Sequence, residues 1–251
     1  MSVVTIFYRN IKWRFHNAFT IVITILQPLL WLVLYSTVAK GTMQGTGIED
    51  YTAFILPGLI VLVSFSACAS SGIMNYLMKA DGSFYRVLIA PVNRSSIVLG
   101  QLLEAVCCTF IEVGIMTVIS LLFFVNVLPN LSGFFLIILL VALTAFFMAG
   151  ISYSVSLILP NEVMYETVMN AIVLPVFFLS TALFPAEGLG GVLGTIIRLN
   201  PFTHVINVLR SIMLYGTADP GAVVSVTGLF LLLGAISFGV ALRRLKKETC
   251  L

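Results

Sequence analysis

Long apolar runs separated by short polar or charged segments dominate the sequence. Crossing a bilayer as a helix takes about 20 predominantly apolar residues, because every backbone group must find its partner within the segment. Six runs meet that requirement and show no internal repeat, so we predict one all-α polytopic domain over residues 1–251 with six transmembrane helices. The approximate limits of the runs are 19–39, 51–78, 95–127, 131–159, 167–184 and 222–242.

A shorter amphipathic segment, residues 3–16, precedes the first run. At helical spacing its apolar side chains form one stripe, and Arg9 and Lys12 lie roughly opposite. The stripe consists of Val4, Phe7, Ile11 and Phe15. This pattern is typical of a helix lying in the membrane interface, and we predict an interfacial helix here. The alternative is a plain basic flank that only fixes the topology.

Between the fifth and sixth runs, residues 185–220 contain two short apolar patches, 192–199 and 205–214. Charged residues and the Asn200-Pro201 pair interrupt them, and neither patch is long enough to cross a bilayer. Short apolar pieces with charged interruptions are typical of re-entrant or interfacial segments. We therefore predict a re-entrant two-helix hairpin on the outer side of the membrane, before the last helix.

The composition excludes an ordinary soluble fold. Hydrophobic residues make up 60% of the chain and charged residues 9%, against roughly 45–50% and about 25% in soluble domains. The net charge of +3 is scattered, and no basic run interleaved with aromatic residues indicates a nucleic-acid surface. Membrane lipid is the expected surrounding, and nucleic acid is not an expected partner.

The distribution of basic residues predicts the orientation, because short cytoplasmic loops carry the excess of Lys and Arg. Of the 13 Lys and Arg residues, all but three lie before the first run, in the loop 79–94, or after the last run. The exceptions are Lys40, Arg198 and Arg210. We predict that both termini and the 79–94 loop face the cytoplasm, with the protein in the plasma membrane of a prokaryote.

The sequence lacks the residue patterns of ATP binding and of metal catalysis. A phosphate-binding loop needs a Gly-Lys pair followed by Ser or Thr, and no lysine here follows a glycine. His16 and His204 are predicted on opposite sides of the membrane, and the cysteines lack the paired spacing of a metal or redox site. We therefore expect no catalytic residue, no metal site and no cofactor in this chain.

A stripe of polar residues runs along the third predicted span. Gln101, Glu104, Cys108 and Glu112 fall within about 80° of one another at 100° per residue. An acidic residue at mid-membrane costs on the order of 3 kcal/mol on insertion scales, so Glu112 is expected to face protein or water and can be protonated there. Two interpretations stay open: a hydrogen bond between helices of this chain, or part of a substrate or proton path.

The loop 79–94 has the pattern of a short amphipathic helix. Gly82 supplies a start signal and Pro91 a stop signal, and an apolar edge stands beside Arg86 between them. The edge consists of Phe84, Val87 and Leu88. From these residues alone, a helix on the lipid surface and a helix docking a protein partner are equally good interpretations.

This loop, with Gly100 opening the next helix, resembles the conserved loop of type-2 ABC transporter permeases, written approximately Gly-Thr-x-x-x-Leu-x-x-x-Pro-Val-x-Arg. Where that family often has an Arg-Glu pair before the glycine, this chain has Ala80 and Asp81, so the polar contacts there are expected to differ. The similarity covers essentially the whole chain and is closest to the branch of daunorubicin-type drug exporters and the nodulation-factor exporter. The other similar segments are 27–31, 54–58, 177–185 and 199–204 with Arg210.

The resemblance implies six membrane helices, an N-terminal connecting helix, a coupling helix in the first cytoplasmic loop and a re-entrant hairpin. It also implies a unit of two permease chains and two separate ABC ATP-binding chains, with a second copy of this chain as the expected permease partner. ATP and Mg²⁺ are then expected on the partner ATPase. The residues expected at the ATPase contact are Ser83, Phe84, Tyr85, Arg86, Val87 and Leu88.

The expected function is ATP-driven export of an amphipathic molecule, either a hydrophobic drug-like compound, as in multidrug efflux, or a lipid-linked saccharide. Candidate residues of a substrate path are Phe65, Asn75, Asn170, Phe177 and Phe178. Two functions of other classes stay open: a membrane enzyme that modifies lipid, and an immunity or sensor protein that does not transport. Candidate acids of such an enzyme are Glu104, Glu112, Glu162 and Glu166.

Overall fold

Helices joined by short turns make up the structure. A computed structural model describes residues 3–16, 22, 25–27, 29–34, 37, 51–122, 130–185 and 190–248, and no strand occurs within these ranges. In chain order the labelled helices are α1 (Val3–His16), α2 (Tyr51–Ala80), α3 (Ser83–Ile89), α4 (Arg94–Leu122), α5 (Leu131–Ile158), α6 (Glu162–Phe178), α7 (Gly191–Leu199), α8 (Pro201–Tyr215) and α9 (Pro220–Glu248).

Four of these helices are long and apolar enough to cross a membrane. They are α2, α4, α5 and α9, with 30, 29, 28 and 29 residues, and at about 1.5 Å per residue each exceeds the hydrocarbon thickness of about 30 Å. They confirm a multi-pass helical membrane protein, and they match the second, third, fourth and sixth predicted spans. The first predicted span, 19–39, lies largely outside the described residues, and those described within it are helical.

The fifth predicted span, 167–184, is a shorter helix that starts earlier. α6 covers Glu162–Phe178, which is 17 residues. It begins early because the side chain of Asn161 accepts a hydrogen bond from the backbone N–H of Met164 at 2.7 Å and so caps the helix. Within the described residues, length and composition give four spans, or five if α7 and α8 are counted as one bent span, against the six predicted.

The predicted pair of short helices before the last span is present as α7 and α8, which are bent by 74° relative to each other. Pro201 is the first residue of α8, a position where a backbone N–H has no partner within the helix. The side-chain oxygen of Asn200 accepts a hydrogen bond from the backbone N–H of Phe202 at 3.0 Å. Its side-chain nitrogen donates to the carbonyl oxygens of Val176 and Leu179, which fastens this corner to the end of α6.

α2 is the central helix and is buried along most of its length. It contacts α4, α5, α6 and α8, and α9 packs mainly on α5. Phe202 of α8 joins two of these helices, because its ring lies 4.6 Å from that of Phe65 and 5.4 Å from that of Phe230. Where α5 meets α9, a Cβ at Gly150 would lie 2.5 Å from Oγ of Ser237, so only glycine fits. Lipid is as apolar as these side chains, and close packing therefore holds the helices together.

Contacts at the two ends of the bundle show which basic segments lie at the same end. At one end, Nζ of Lys79 forms an ion pair with Oε2 of Glu248 at 3.0 Å, which places the start of the 79–94 loop beside the end of α9. At the other end, the hydroxyl of Tyr51 donates to the carbonyl oxygen of Leu183 at 2.8 Å, and Nε of Arg210 donates to the carbonyl oxygen of Phe54. The loop and the end of α9 thus lie together, away from α8.

Candidate functional site

α1 packs along α4 through a face on which every fourth residue is buried. The face consists of Ile6, Asn10 and Arg14. Gly100 of α4 makes room for it, since a Cβ there would come within 2.8 Å of Cγ2 of Ile6. The apolar stripe predicted on this helix lies beside this face instead: Val4 and Phe15 are exposed, and Phe7 and Ile11 are half-buried. The interfacial pattern therefore describes only the outer face of α1, and the polar inner face belongs to the bundle.

The inner face of α1 brings one arginine against two carboxylates of α4. Nη1 of Arg14 lies 3.2 Å from Oε1 of Glu104, and Nη2 lies 3.7 Å from Oε1 of Glu112. The arginine and Glu112 are 0% exposed, and Glu104 is 1% exposed. Nη2 also donates to the carbonyl oxygen of Ala67 in α2 at 3.3 Å. These three charged residues form what we call the buried charged cluster.

Glu104 is surrounded by hydrogen-bond donors. Its Oε2 accepts from the hydroxyl of Ser71 in α2 at 2.6 Å, and its Oε1 accepts from the thiol of Cys108 at 3.3 Å. Nε2 of Gln101 donates to Oγ of Ser71 at 3.1 Å, and Nδ2 of Asn10 donates to Oε1 of Gln101 at 2.8 Å. The network therefore joins α1, α2 and α4.

The polar stripe predicted on the third span is thus gathered into one network, and the residues that complete it come from other helices. Arg14, Asn10 and Ser71 were not predicted as members. The sequence signal for the first two was present, because Asn10 and Arg14 lie four residues apart and so share one face of α1. The basic residues of this segment also fit a topology signal. The sequence therefore does not show that one of these residues, Arg14, has a partner inside the bundle.

An apolar groove lies on the surface of the bundle near the end of α1. It has a volume of about 440 Å³, and its lining comes from the end of α1, the described part of residues 22–29 and α4. On α4 the lining residues Ile111 and Ile115 flank Glu112 in sequence. The complete lining is Phe15, Val22, Ile25, Leu26, Leu29, Ile111, Ile115 and Ile119.

The predicted loop helix is present as α3, but its predicted apolar edge faces inward. Gly82 takes the left-handed conformation, with φ of 73°, and turns the chain back from the end of α2. Phe84 is 3% exposed, and Val87 and Leu88 pack against the core. The side exposed to the surroundings carries Tyr85, Arg86 and Ile89, the last 85% exposed.

Polar contacts fix the two ends of α3. The hydroxyl of Ser83, one of the residues predicted at the ATPase contact, donates to the carbonyl oxygen of Met78 at 3.1 Å. Nη1 of Arg94 donates to the carbonyl oxygen of Leu88 at 2.9 Å and so satisfies a carbonyl group of the last turn. α3 is therefore held to its own chain at both ends, which leaves one side exposed.

The five candidate path residues divide into two groups. Phe65, Asn75 and Phe177 are buried within this chain, and Nδ2 of Asn75 donates to Oγ of Ser156 at 2.9 Å. Asn170 and Phe178 are exposed on the outer side of α6. The buried face of α6 consists of Tyr165, Met169, Val173 and Phe177. A path along the surface of this chain could include only the exposed pair.

The outer side of α6 combines polar and apolar residues. Besides Asn170 and Phe178, the residues Glu166, Thr167 and Leu174 are exposed there. Among the described residues, no group of three or more His, Cys, Asp or Glu side chains lies close enough to hold a metal ion. Glu166 is therefore not part of a metal cluster within that part of the chain.

Comparisons with known proteins identify the family. Residues 1–214 match the family model described as ABC-2 type transporter. A protein named as transport permease ycf38, from Cyanophora paradoxa, is 30% identical over 198 residues, which is 76% of this chain and 67% of that protein. Nodulation protein J of Rhizobium leguminosarum bv. trifolii is 26% identical over 216 residues, 84% of this chain and 80% of its own.

A third relative covers the full length. The polysialic acid transport protein KpsM of Escherichia coli is 21% identical over 253 aligned positions, which cover 100% of this chain and 95% of that protein. The match to the family model and the relatives confirm the resemblance drawn from the loop and the other motifs. This chain belongs to the ABC-2 type transporter family.

Proposed function

We propose that this chain is the membrane-spanning permease of an ATP-driven exporter in the plasma membrane of a prokaryote, with both termini in the cytoplasm. The family match over residues 1–214 carries the proposal, because proteins of this family normally work with an ATP-binding partner. The ion pair between Lys79 and Glu248 supports a shared side for the 79–94 loop and the end of α9. ATP and Mg²⁺ are bound by a separate ATP-binding protein.

The exposed side of α3 is the proposed contact for that ATP-binding protein. Tyr85 and Ile89 supply apolar area, and Arg86 between them supplies a charge that fixes orientation, a combination typical of interface anchors. Phe84 is buried and Val87 and Leu88 pack partly against their own chain, so the contact is proposed for Tyr85 and Arg86, two of the predicted residues, together with Ile89. Because α3 is held at both ends, it can transmit a movement of the ATP-binding protein to α2 and α4.

The outer side of α6 is the proposed contact with a second copy of this chain, in a complex of two permease and two ATP-binding chains. Glu166 and Asn170 are exposed on a helix whose opposite face is packed in the bundle. An ionisable or amide side chain facing lipid is costly, so such residues usually face protein or a water-filled cavity. The substrate would pass between the two copies along Asn170 and Phe178.

The mixture of polar and aromatic side chains on α6 suits an amphipathic substrate, either a drug-like compound or a lipid-linked saccharide. The relative named polysialic acid transport protein supports the saccharide class. A lipid-modifying enzyme using Glu104 and Glu112 has less support, because Arg14 and the packed bundle enclose both carboxylates. On α6, Glu162 is half-buried and Glu166 is exposed, and neither belongs to a group of metal-ligating side chains in the described part of the chain.

Transport by the purified pair tests the proposal. The permease is co-expressed with a candidate ABC ATP-binding protein and reconstituted into vesicles, and ATP and a panel of amphipathic drugs and lipid-linked saccharides are added together outside the vesicles. We expect ATP-dependent movement of one class, and none with an ATPase variant that binds ATP without hydrolysing it. Movement that is equal with and without ATP, or failure of the two proteins to co-purify, would contradict the proposal.

A further inference from the structure

A single hydroxyl group joins the buried face of α6 to two other helices. Of the four side chains on that face, only that of Tyr165 carries a hydrogen-bond donor. Tyr165 is buried, and its hydroxyl donates to the carbonyl oxygen of Ala69 in α2 at 2.8 Å. The hydroxyl also lies 2.7 Å from Oγ of Ser152 in α5, which itself donates to the carbonyl oxygen of Cys68 at 2.6 Å. The helices α2, α5 and α6 therefore meet at this hydroxyl.

Gly72 makes room for the ring of Tyr165 on the surface of α2. A Cβ at this position would lie 2.6 Å from Cζ of Tyr165, and it would also overlap the hydroxyl oxygen and Oγ of Ser152. Small residues at helix contacts in membranes allow this kind of close approach. Any larger residue would push α6 away from α2, so the contact requires glycine.

The same part of α2 also binds side chains of α1 and α4. Nη2 of Arg14 in α1 donates to the carbonyl oxygen of Ala67 at 3.3 Å. Nε2 of Gln101 in α4 donates to the carbonyl oxygen of Ser71 at 3.4 Å. With the two bonds described above, side chains from four helices bind carbonyl oxygens within residues 67–71. About one and a half turns of α2 thus anchor α1, α4, α5 and α6.

This anchor lies near the end of α2 that holds α3. The hydroxyl of Ser83 in α3 donates to the carbonyl oxygen of Met78, which follows Ala69 by nine residues in the same helix. At about 1.5 Å per residue, the two carbonyl groups are about 14 Å apart along α2. A rotation or shift of the end of α2 therefore moves the carbonyl group to which Tyr165 is bonded.

The hydrogen bond of Tyr165 specifies the orientation of α6 better than its apolar neighbours do. Lipid is as apolar as Met169 and Val173, so their burial alone gives little preference for one side of the helix over another. A hydrogen bond has a preferred distance and direction. At its other end α6 is fastened by Asn200, and Tyr165 provides the directional contact in the first turn.

We propose that Tyr165 is a positioning residue, which ties α6 to α2 and so sets which side of α6 faces outward. That side carries Glu166, Asn170 and Phe178. When a movement of α3 turns the end of α2, the bond of Tyr165 transmits the movement to α6. The inference rests on the proposed function in one respect, that the outer side of α6 borders the substrate path. The orientation of α6 by one hydroxyl group does not depend on transport.

Cysteine reactivity in the purified full-length protein tests the orientation of α6 without transport. Val173→Cys places a thiol on the buried side of α6, and Leu174→Cys places one on the exposed side. We expect N-ethylmaleimide to modify position 174 about tenfold faster than position 173. Peptide mass spectrometry reads each position separately, so the native cysteines stay in place. Tyr165→Phe, which removes only the hydroxyl, should lower the ratio of the two rates by about threefold or more, the effect of losing one hydrogen bond within a membrane.

Two further variants identify the cause of such a change. Tyr153→Phe is the matched control, because Tyr153 is a buried tyrosine of α5 whose hydroxyl has no hydrogen-bond partner in the described part of the chain. It should leave the ratio unchanged. Gly72→Ala displaces Tyr165 while keeping its hydroxyl, and should lower the ratio as Tyr165→Phe does. A wild-type ratio near one, an unchanged ratio in both Tyr165→Phe and Gly72→Ala, or an equal fall in Tyr153→Phe would overturn the proposal.

The amount of substrate moved per ATP hydrolysed tests the role of Tyr165 in transport. In vesicles containing the complex with the ATP-binding protein, Tyr165→Phe should lower this amount by about threefold or more while ATP hydrolysis keeps the wild-type rate. A variant that is only less stable would lose both activities together, and that result, or an unchanged amount, would overturn the role in transport. If the wild-type complex moves no substrate, the proposed function fails, and the cysteine ratios still decide whether Tyr165 orients α6.

Discussion

At the scale of single residues, Arg14 is the member of the buried charged cluster whose loss has the clearest consequence. Arg14→Met leaves the buried Glu104 without its positive partner, and loss of one member of a buried ion pair costs about 3–5 kcal/mol. We expect a markedly lower melting temperature of the purified protein in detergent. Lys12→Met is the matched control, since it removes the same charge from an exposed position of α1.

The control should change stability by no more than about 0.5 kcal/mol, as is usual for exposed positions. Equal melting temperatures of the two variants would show that the ion pair does not stabilise the fold. A lower expression level of Arg14→Met alone is not a sufficient readout, since removal of a basic residue also affects membrane insertion. Melting of the inserted fraction is therefore the measurement to compare.

The residue scale also shows what the sequence could predict and what it could not. The stripe from Gln101 to Glu112 was predictable because its members share one helix and one period. Arg14 was not predictable as their partner, since it lies 90 residues from Glu104 and its local pattern is that of a topology signal. Only the packing of α1 on α4 distinguishes the two roles.

At the scale of elements, α3 shows that a sequence predicts the limits of a short helix better than the face that the helix turns to its own chain. Its start after Gly82 and its end before Pro91 follow from local turn chemistry, which a sequence records. Its orientation follows from contact with the end of α2, which local sequence does not record. An apolar edge can pack against a partner protein or against the core of its own chain, and in α3 it packs against the core.

The orientation of α3 leads to a prediction about coupling. The double variant Tyr85→Ala and Ile89→Ala removes the exposed apolar anchors while leaving Phe84 in place. We expect normal folding, weaker co-purification with the ATP-binding protein, and ATP hydrolysis that no longer drives transport. Melting temperature, pull-down and vesicle transport measure these three effects.

Two further variants serve as controls. One removes exposed apolar side chains elsewhere on the surface, and the other removes a buried side chain of α3. Val192→Ala with Leu199→Ala alters two exposed apolar residues of α7, at the other end of the bundle, and should leave the ATPase contact intact. Phe84→Ala should instead lower stability by about 3–5 kcal/mol, because that ring is buried. Normal coupling in the Tyr85 and Ile89 double variant would exclude the proposed contact.

At the scale of the whole molecule, the four long spans were predictable because their length and hydropathy are local properties. The start of α6 depended on the cap at Asn161, which extends the helix to include Glu162 and Glu166. A span predicted from apolar residues alone leaves these two glutamates out. The orientation stays a prediction from the basic residues. Reporter fusions test it: alkaline phosphatase should be inactive in the 79–94 loop and active between α8 and α9.

Assembly through the outer side of α6 is the last prediction at this scale. If a second copy covers this side, cysteines introduced there should approach their counterparts in the partner. In a variant without its native cysteines, we expect Asn170→Cys and Leu174→Cys to give a covalent dimer on mild oxidation in membranes. Leu232→Cys is the control, since Leu232 is exposed on α9 and its neighbours Leu231 and Ile236 are exposed apolar residues.

The comparison of α6 with α9 distinguishes a specific interface from random collision. Both positions face outward from an isolated chain, so random collisions in the membrane would cross-link Leu232→Cys as readily as Leu174→Cys. A specific interface would cross-link only the α6 pair, and the yield should not fall when excess lipid dilutes the protein. Equal cross-linking on α9 and α6, or a yield on α6 that falls in proportion to dilution, would show that α6 faces lipid and that Glu166 and Asn170 are tolerated there.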